Sequence, residues 1–387
     1  MKKFWQLIFT ALLLFCLSAA AQAEIKIGII SDLSGATSDV GRPYAEGVKD
    51  CIDYINDNGG INGELIDAMQ VDYAYNVQQA MAAYNRFKSR GIVALQTWGT
   101  ADTEALVKQV ARDEIPTFSA SYSAHLTDPK NAPYNFFIAA DYSTQLRGVL
   151  EYLYDEWDKD RAPRIAFVYP NHPYGLAPIP AGKEYAQKLG FEIVGEENVG
   201  LADMDSTTQL IRLNRQKPDY VWVGGTISST AVILKDAQRL NMESTFITNI
   251  WGSDEQLFEL AGSAVNGHIG LQSAVVYGAD VPGMKVIKEM TKGEHQMTHY
   301  IRGFASMLVM AEGIRIAMEN GELNGPGIRD AVRTMRDFDP MGLTPPISFF
   351  PDDHRPNMSV NIYRLHKDGM ELLATETLER KDEWLGK

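Results

Sequence analysis

The sequence has little cysteine, which limits how the fold can be held together. Its 387 residues include two cysteines, Cys16 and Cys51. Cys16 lies in an N-terminal segment that we predict to be removed, so one cysteine remains and an internal disulfide is excluded. Cys51 belongs to a stretch with helical periodicity, where we expect it to pack in the interior rather than react. The chain must therefore be stabilised by its hydrophobic core.

Basic residues and membrane-spanning segments are also scarce. There are 36 Lys and Arg residues against 50 Asp and Glu, a formal net charge of −14. Because phosphate binding needs clustered basic residues, a nucleic-acid partner is excluded. After residue 23, no apolar run approaches the roughly 20 residues needed to cross a bilayer. We therefore expect membrane contact only through a partner protein.

Catalytic and cofactor-binding motifs are missing as well. No serine lies in a G-x-S-x-G elbow and no Cys–His pair suggests a nucleophile, so we predict that the protein is not an enzyme. Residues 224–230 resemble a phosphate-binding loop only in their small side chains, because no Gly-Lys-Ser/Thr follows. His295 and His299 lack a third ligand and the Glu of H-E-x-x-H, so we interpret them as a solvated helix start. We predict no metal site and no cofactor.

The N-terminus has the pattern of an export signal. Two lysines at positions 2 and 3 precede an apolar segment at 7–17, and the small-residue motif A-Q-A ends at Ala23. We predict a signal peptide over residues 1–23, cleaved after Ala23. A retained anchor is the alternative, which the short apolar segment disfavours. A lipid-modified Cys16 is disfavoured by Phe15, where a small residue is expected. Cleavage leaves 34 Lys and Arg against 50 Asp and Glu, a charge of −16.

The remaining chain alternates short apolar runs with segments of helical periodicity. The first series begins at Ile25 with a run typical of a buried parallel strand, and it continues through a predicted strand at 115–119. A second series of similar length runs from Arg164 to about residue 249. Such alternation is typical of parallel sheets covered by helices. The sequence therefore predicts two doubly wound α/β lobes.

The last third of the chain alternates less clearly. We predict a long helix near 298–319 and late strands near 347–349 and 360–365. The stretch 350–356, rich in proline and charge, is predicted to cross between the lobes. On this interpretation the first lobe comprises residues 24–141 and 275–350. The second comprises residues 142–274 and 351–387.

The stretch 91–127 carries the clearest candidate site. It reads as strand, helix and strand, with Thr100 predicted as the helix N-cap and a cluster of serines after the second strand. Carboxyl ends of parallel strands and helix N-termini favour an anion such as a carboxylate. A plain cap followed by turn-forming serines explains these residues equally well. The stretch alone does not decide between the two.

Longer motifs resemble a known family. The segment IKIGIISDLSGATSDVG, followed by EGVKDCIDYINDNGGINGELI, resembles the opening of the periplasmic solute-binding proteins of the branched-chain amino acid type, which serve ABC importers. The likeness continues through WGTADTEAL, IPTFSASYSAHLT, RIAFVYPNHPYG and PDYVWVGGTISSTAVILKDAQRLNM. It implies two lobes joined by three crossings that close over a small carboxylate-bearing solute. It also implies a periplasmic location and, as partners, an ABC permease with its ATPase.

The resemblance leaves two further expectations. We expect a monomer. The alternative function is that of a ligand-sensing binding protein that acts on a separate membrane receptor.

The resemblance also implies ligand-binding residues. It assigns the ligand carboxylate to Thr100, Ser121 and Ser123, and it takes Tyr174 from the motif Pro173-Tyr174-Gly175 of the other lobe. The positions that usually form the side-chain pocket are occupied here by Trp98 and Val40.

The sequence departs from the family where the ligand ammonium is usually bound. After the strand at 245–249 it has Ile250-Trp251 instead of a carboxylate, and Thr226 stands where an aromatic residue often follows Gly-Gly. An enclosed ammonium without a counter-charge costs several kcal/mol. We therefore expect ordinary amino acids to be disfavoured, unless one of three acids substitutes: Asp254, Asp141 or Asp205.

Aromatic residues suggest another ligand class. We predict that Trp98, Tyr122, Tyr174 and Trp251 enclose an aromatic or otherwise apolar acid. The alternative is that Trp251 packs in the core of its lobe and faces no ligand.

Overall fold

The computed structural model describes residues 24–387, so the predicted signal peptide lies outside the described residues. The first half of the chain forms a five-stranded parallel sheet with β3 at its centre. Its strands are β1 (Glu24–Ser31), β2 (Leu65–Asp72), β3 (Ala94–Thr97), β4 (Thr117–Ser119) and β5 (Asn135–Phe136), in the order β2-β1-β3-β4-β5. The helices between them are α1 (Ser38–Asp57), α2 (Val77–Ser89) and α3 (Thr100–Asp113).

The second half forms a seven-stranded sheet, mostly parallel. Its strands are β6 (Arg164–Tyr169), β7 (Glu192–Asn198), β8 (Tyr220–Val223), β9 (Thr245–Thr248), β10 (Ile269–Gln272), β11 (Ser359–His366) and β12 (Gly369–Thr377), in the order β12-β11-β10-β9-β8-β6-β7. The pairs β10–β11 and β11–β12 are antiparallel. Its helices are α4 (Tyr142–Asp155), α5 (Pro173–Leu176), α6 (Ile179–Leu189), α7 (Thr207–Arg215), α8 (Ile227–Arg239) and α9 (Glu255–Ala261).

The chain then returns to the first sheet before it ends on the second. The returning helices are α10 (Pro282–Met290), α11 (Thr298–Glu319) and α12 (Gly325–Arg333). Helix α11 packs along α1 at two glycines: a Cβ added to Gly47 would lie 2.0 Å from the Tyr300 carbonyl oxygen, and one added to Gly303 would lie 2.0 Å from that of Tyr44. Only residues without a side chain allow this close approach. The two α/β lobes are thus joined by three crossings, after β5, after β10 and before β11.

The predicted alternation of strands and helices is confirmed, and most element bounds agree within two or three residues. One predicted element is wrong. The predicted strand near 347–349 forms only an isolated bridge, between Phe338 and Ile347. The elements β10, β12, α5, α9 and α10 were not predicted. The exact boundary residues of the lobes stay a prediction.

The environment of Cys51 and the lengths of the helices test two further expectations. Cys51 is buried in α1, and burial raises the pKa of its thiol well above the usual range. Within residues 24–387, no helix combines the length and apolar character required to cross a membrane.

Candidate functional site

A narrow cavity lies between the two lobes, near the carboxyl ends of the strands of both sheets. Measured as the space open to the centres of water molecules, its volume is about 20 Å³, close to the room that one water needs. A solute of several carbon atoms therefore requires the walls to move apart. The lining residues are Thr37, Val40, Tyr75, Trp98, Gly99, Thr100 and Ala120 before the first crossing, and Tyr142, Tyr174, Thr226 and Trp251 after it.

Thr100 lies in the wall of this cavity, but it is not the helix N-cap as predicted. Gly99 is the N-cap of α3, and its N–H donates to the Asp102 carboxylate at 3.2 Å. Because Asp102 reaches back in this way, the Thr100 hydroxyl is not needed for capping. It lies 2.8 Å from the Ser121 hydroxyl. The structure thus brings two of the predicted carboxylate-binding hydroxyls together beside the first turn of α3.

The carboxyl group of Asp102 is itself buried beneath the cavity wall. It accepts a hydrogen bond of 2.8 Å from the Tyr73 hydroxyl. Burial raises the pKa of Asp102 to about 7, although the bonds from Tyr73 and Gly99 act in the opposite direction. A carboxyl group in this position stabilises the turn and is not available to a solute.

Ser121, Ser123 and Tyr122 are not among the residues that line the cavity. The Ser123 hydroxyl donates to Glu104 Oε1 at 2.8 Å, and His125 Nδ1 lies 3.1 Å from the same oxygen. Tyr122 is fully buried, with its ring centroid 5.6 Å from that of Trp251. The predicted role of Ser123 in carboxylate binding therefore requires its hydroxyl to turn away from Glu104. Tyr122 can affect a solute only indirectly, by packing against Trp251.

Tyr174 enters the cavity from the second lobe at the start of α5, and its hydroxyl is held on both sides. It lies 3.0 Å from the Gly225 carbonyl oxygen and 3.0 Å from Asn249 Oδ1. Asn249 also accepts the Trp251 backbone N–H at 2.7 Å, and its amide nitrogen donates to the Gly225 carbonyl at 2.8 Å. One buried amide thus positions two lining residues, Tyr174 and Trp251.

Trp251 both lines the cavity and packs against the other lobe. Its ring centroid lies 5.1 Å from that of Trp98 and 6.0 Å from that of Tyr44, both on the first lobe. Its indole N–H donates to the Tyr142 hydroxyl at 3.0 Å, and burial raises the pKa of that hydroxyl to about 12. Trp98 is fixed by a bond of 2.8 Å to the Thr37 hydroxyl. The two tryptophans therefore form a continuous aromatic wall across the lobes.

Thr226 is the remaining predicted site residue. It is the N-cap of α8 and lines the cavity, and its buried hydroxyl has no hydrogen-bond partner in the described chain. Among the residues predicted for the site, the cavity therefore brings together Val40, Trp98, Thr100, Tyr174, Thr226 and Trp251.

No lining residue carries a charge, and the three acids considered as ammonium partners are bound elsewhere. Asp254 is the N-cap of α9, fully buried, and accepts the Gln256 N–H at 2.8 Å. Asp141 accepts both the N–H and the hydroxyl of Thr144, at 2.9 and 2.7 Å. Asp205 accepts the hydroxyl of Thr207 at 2.8 Å on the surface. None of these acids lines the cavity.

Other contacts join the lobes around the cavity. The Ser228 N–H, at the start of α8, donates to the Asp39 carboxylate of α1 at 2.8 Å. Tyr75 stacks on His172 with ring centroids 5.1 Å apart. Both Ala74 and Tyr75 have left-handed backbone angles, φ 49° and 56°, a strained conformation for residues with side chains. The structure is therefore that of two closed lobes, with strain at one rim.

Sequence reasoning missed the lining residues Tyr75, Tyr142 and Thr37. Tyr75 and Thr37 follow β2 and β1, so the rule that ligands meet the carboxyl ends of strands identifies them once these strands are known. Tyr142 follows the buried cap Asp141, and no local pattern marks it.

The two histidines weighed as a metal pair have separate environments. The prediction of a solvated helix start is wrong for His299, which is fully buried, and burial with nearby Arg302 lowers its pKa well below the usual range. His295 lies against Tyr277 instead, with ring centroids 4.6 Å apart. Across residues 24–387, no group of three or more His, Cys, Asp or Glu side chains is placed to hold a metal ion.

Comparison with known proteins gives matches over nearly the whole described chain. Residues 24–370 match the model of a family described as periplasmic binding protein. The Leu/Ile/Val/Thr-binding protein of Salmonella typhimurium is 22% identical over 63% of this chain and 66% of its own length. The leucine-, isoleucine-, valine-, threonine- and alanine-binding protein of Pseudomonas aeruginosa is 21% identical over 92% of this chain and 93% of its own length.

Solved structures are similar over the same extent. An ABC transporter substrate-binding protein from Aeropyrum pernix is 30% identical, with a TM-score of 0.85 over 94% of this chain and 98% of its own. A branched-chain amino acid ABC transporter protein from Thermus thermophilus with bound valine is 24% identical, with a TM-score of 0.87 over 93% of this chain and 97% of its own. A fatty acid ABC transporter substrate-binding protein from Thermomonospora curvata is 20% identical, with a TM-score of 0.83 over 93% of both chains.

Proposed function

Because this chain belongs to the periplasmic binding protein family, whose members bind solutes and catalyse no reaction, we propose that it captures a small carboxylate-bearing solute between its lobes. The solute is an amino acid or an aromatic or apolar acid. The closed complex delivers it to an ABC permease driven by its ATPase. The protein acts in the periplasm, after cleavage of residues 1–23.

The observation that carries this proposal is the hydroxyl pair of Thr100 and Ser121. The two oxygens lie 2.8 Å apart beside the first turn of α3, and Thr100 lines the cavity with Ser121 directly behind it. The first N–H groups of a helix have no partners within the helix and favour negative charge. Two hydroxyl donors together with these N–H groups match the two oxygens of a carboxylate.

The aromatic wall supports the apolar part of the solute. Trp98 and Trp251 face the cavity from opposite lobes, and Tyr174 and Tyr142 complete the wall. Aromatic side chains favour contact with apolar groups of a ligand. One structural neighbour has bound valine and another is a fatty acid ABC transporter protein, and both valine and fatty acids combine a carboxylate with an aliphatic chain.

Lobe closure is the proposed mechanism of capture. Thr100 and Ser121 belong to the first lobe, whereas Tyr174, Thr226 and Trp251 belong to the second. A solute that contacts both groups binds the closed form better and shifts the population towards it. The open form admits the solute, since the closed cavity holds little more than a water molecule.

A thermal-shift panel tests the proposal. The panel contains amino acids, aromatic acids, short aliphatic acids and the amides of each acid. A solute at 100 times its Kd stabilises the folded protein by about 2.7 kcal/mol, so true ligands raise Tm by a few degrees. We expect acids to raise Tm and their amides to fail. An amide that stabilises as well as its acid contradicts the proposed carboxylate site.

A further inference from the structure

A fully buried arginine lies directly behind the aromatic wall. Arg302, in the second turn of α11, has no solvent exposure, and its guanidinium carbon lies 5.0 Å from the centre of the Trp251 ring. Trp251 in turn lines the cavity. A single indole therefore separates a positive charge from the proposed solute site.

The partners of Arg302 are uncharged. Its guanidinium donates to the Ile250 carbonyl oxygen at 2.7 Å and to the side-chain oxygen of Gln272, and it lies 2.8 Å from His299 Nδ1. Its Nε has no partner, and no carboxylate of residues 24–387 forms an ion pair with it. Because His299 accepts from the arginine, the histidine stays neutral, in agreement with its lowered pKa.

The nearest acids compensate this charge only in part. Asp254 Oδ2 faces His299 Nε2 at 3.5 Å, on the side of the histidine away from Arg302. Burial raises the pKa of Asp254 well above its usual range, which favours the neutral carboxylic acid. The Glu255 carboxylate does not contact Arg302 and instead accepts the N–H and the hydroxyl of Thr298, both at 3.1 Å. The positive charge behind Trp251 is thus incompletely balanced.

We infer that Arg302 determines the charge class of the solute, and that this site selects carboxylates without an ammonium group. The inference rests on the proposed function and refines it. A buried cation with little screening attracts an anion and repels an ammonium through a medium of low dielectric constant. The uncharged cavity lining and the engagement of Asp254, Asp141 and Asp205 leave no acid to offset that repulsion.

The sharpest test compares ligands that differ only in the amine. The pairs are leucine with 4-methylpentanoate, and phenylalanine with 3-phenylpropanoate, measured by isothermal titration calorimetry on the mature protein. We expect the acid without the amine to bind at least about tenfold more tightly in each pair, because an enclosed ammonium without a counter-charge costs more than 1.4 kcal/mol. Tighter binding of leucine or phenylalanine overturns the inference and leaves the proposed carboxylate site intact.

Variants test the residue itself. Arg302→Met removes the charge at similar length, and we expect the preference for the amine-free acid to fall by roughly tenfold. Arg302→Lys keeps the charge and should retain most of the preference. Arg147→Met is the matched control: Arg147 is also buried and stacks on an indole, Trp384, at 4.7 Å, but it does not line the cavity. It should leave the preference unchanged.

These experiments distinguish a failure of the proposed role of Arg302 from a failure of the proposed carboxylate-binding function. An unchanged preference in Arg302→Met refutes the role of the arginine even if wild type prefers amine-free acids. Should Arg302→Met fail to fold, the ligand pairs on wild type and on Arg302→Lys still decide the charge class. If no carboxylic acid binds wild type and neutral solutes do, the proposed function fails first.

Discussion

Replacing Asp39 with Asn should weaken ligand binding although Asp39 does not line the cavity. The Asp39 carboxylate, on α1 of the first lobe, accepts the Ser228 N–H at 2.8 Å at the start of α8 of the second lobe. This bond exists only while the lobes are closed, because its two partners belong to different lobes. A carboxylate at a helix N-terminus is stabilised by the unpaired N–H groups there.

The magnitude follows from the two parts of this contact. Asn keeps an oxygen acceptor but loses the charge, which removes the interaction with the helix dipole and roughly half of the hydrogen-bond strength, together about 1 kcal/mol for a partly exposed group. Asp39→Ala also removes the acceptor and should cost about 2 kcal/mol. If the solute binds the closed form, these energies raise the apparent Kd by about fivefold and thirtyfold.

Calorimetric titration with the best acid from the thermal-shift panel measures this effect. Asp53→Asn is the matched control, because Asp53 lies on the same helix, carries the same charge and pairs only with Lys49 at 2.5 Å. The control should bind like wild type, and the Asp39 variants should unfold at the same urea concentration as the control. Equal affinities of Asp39→Asn and Asp53→Asn would refute the assignment of Asp39 to lobe closure.

Three other substitutions test the site and the fold. Thr100→Val removes one hydroxyl donor and should weaken binding of the acid by roughly tenfold or more by calorimetry, because hydrogen bonds to charged groups contribute about 1.5–3 kcal/mol. Gly47→Ala should destabilise the protein by about 1–3 kcal/mol in urea unfolding, since its Cβ would lie 2.0 Å from the Tyr300 carbonyl oxygen. His354→Gln should flatten the loss of stability between pH 6.5 and 4.5: burial lowers the His354 pKa to about 3, so the unfolded chain takes up a proton that the folded one does not, at up to about 1.4 kcal/mol per pH unit.

Each of these predictions has its own control. Thr100→Ser keeps the hydroxyl and should bind nearly as well as wild type; unchanged binding by Thr100→Val shows that the carboxylate lies elsewhere. Lys49→Ala, on the exposed face of the same helix as Gly47, should change stability by less than about 0.5 kcal/mol. For His354, the lowered pKa means that the folded protein keeps the ring neutral while the unfolded chain protonates below pH 6.5. The free energy of unfolding of the wild type therefore falls on acidification. An identical pH slope in the variant contradicts it.

The alternation of the two lobes could be predicted because buried parallel strands are short apolar runs between helical segments. The stretch at 347–349 shows the limit of this rule. It is apolar, but its three successive N–H groups donate to three different segments, at Phe338, Pro356 and Met335. No single neighbouring strand accepts them, so no ladder forms. Strand β10 shows the opposite limit: it forms but was not predicted. Its polar Gln272 is buried only because Arg302 and the Ser253 carbonyl, both distant in sequence, provide hydrogen-bond partners.

The position of the candidate site could be predicted, whereas its electrostatics could not. Strand ends and helix starts locate Thr100 and Tyr174 from local patterns. The environment of His299 depends on Arg302 and on Asp254 of the opposite lobe, so a helix start that looks solvated in sequence is buried in the structure. Such a cluster has no signature in any one segment.

The hydrogen bonds that hold Arg302 behind Trp251 depend on lobe closure, so closure and selection by ligand charge are coupled. Arg302 belongs to α11 of the first lobe, yet its partners Ile250 and Gln272 belong to the second. The guanidinium is therefore held behind Trp251 by contacts that need the lobes to meet, and we expect opening of the lobes to expose it to water, which would screen its charge. A cation that acts on the solute only in the closed state selects between solutes when the lobes close, not when the solute first binds the open form. If Arg302 has this role, we expect an amine-bearing solute to enter the open form as readily as an acid and to be rejected because the lobes do not close over it.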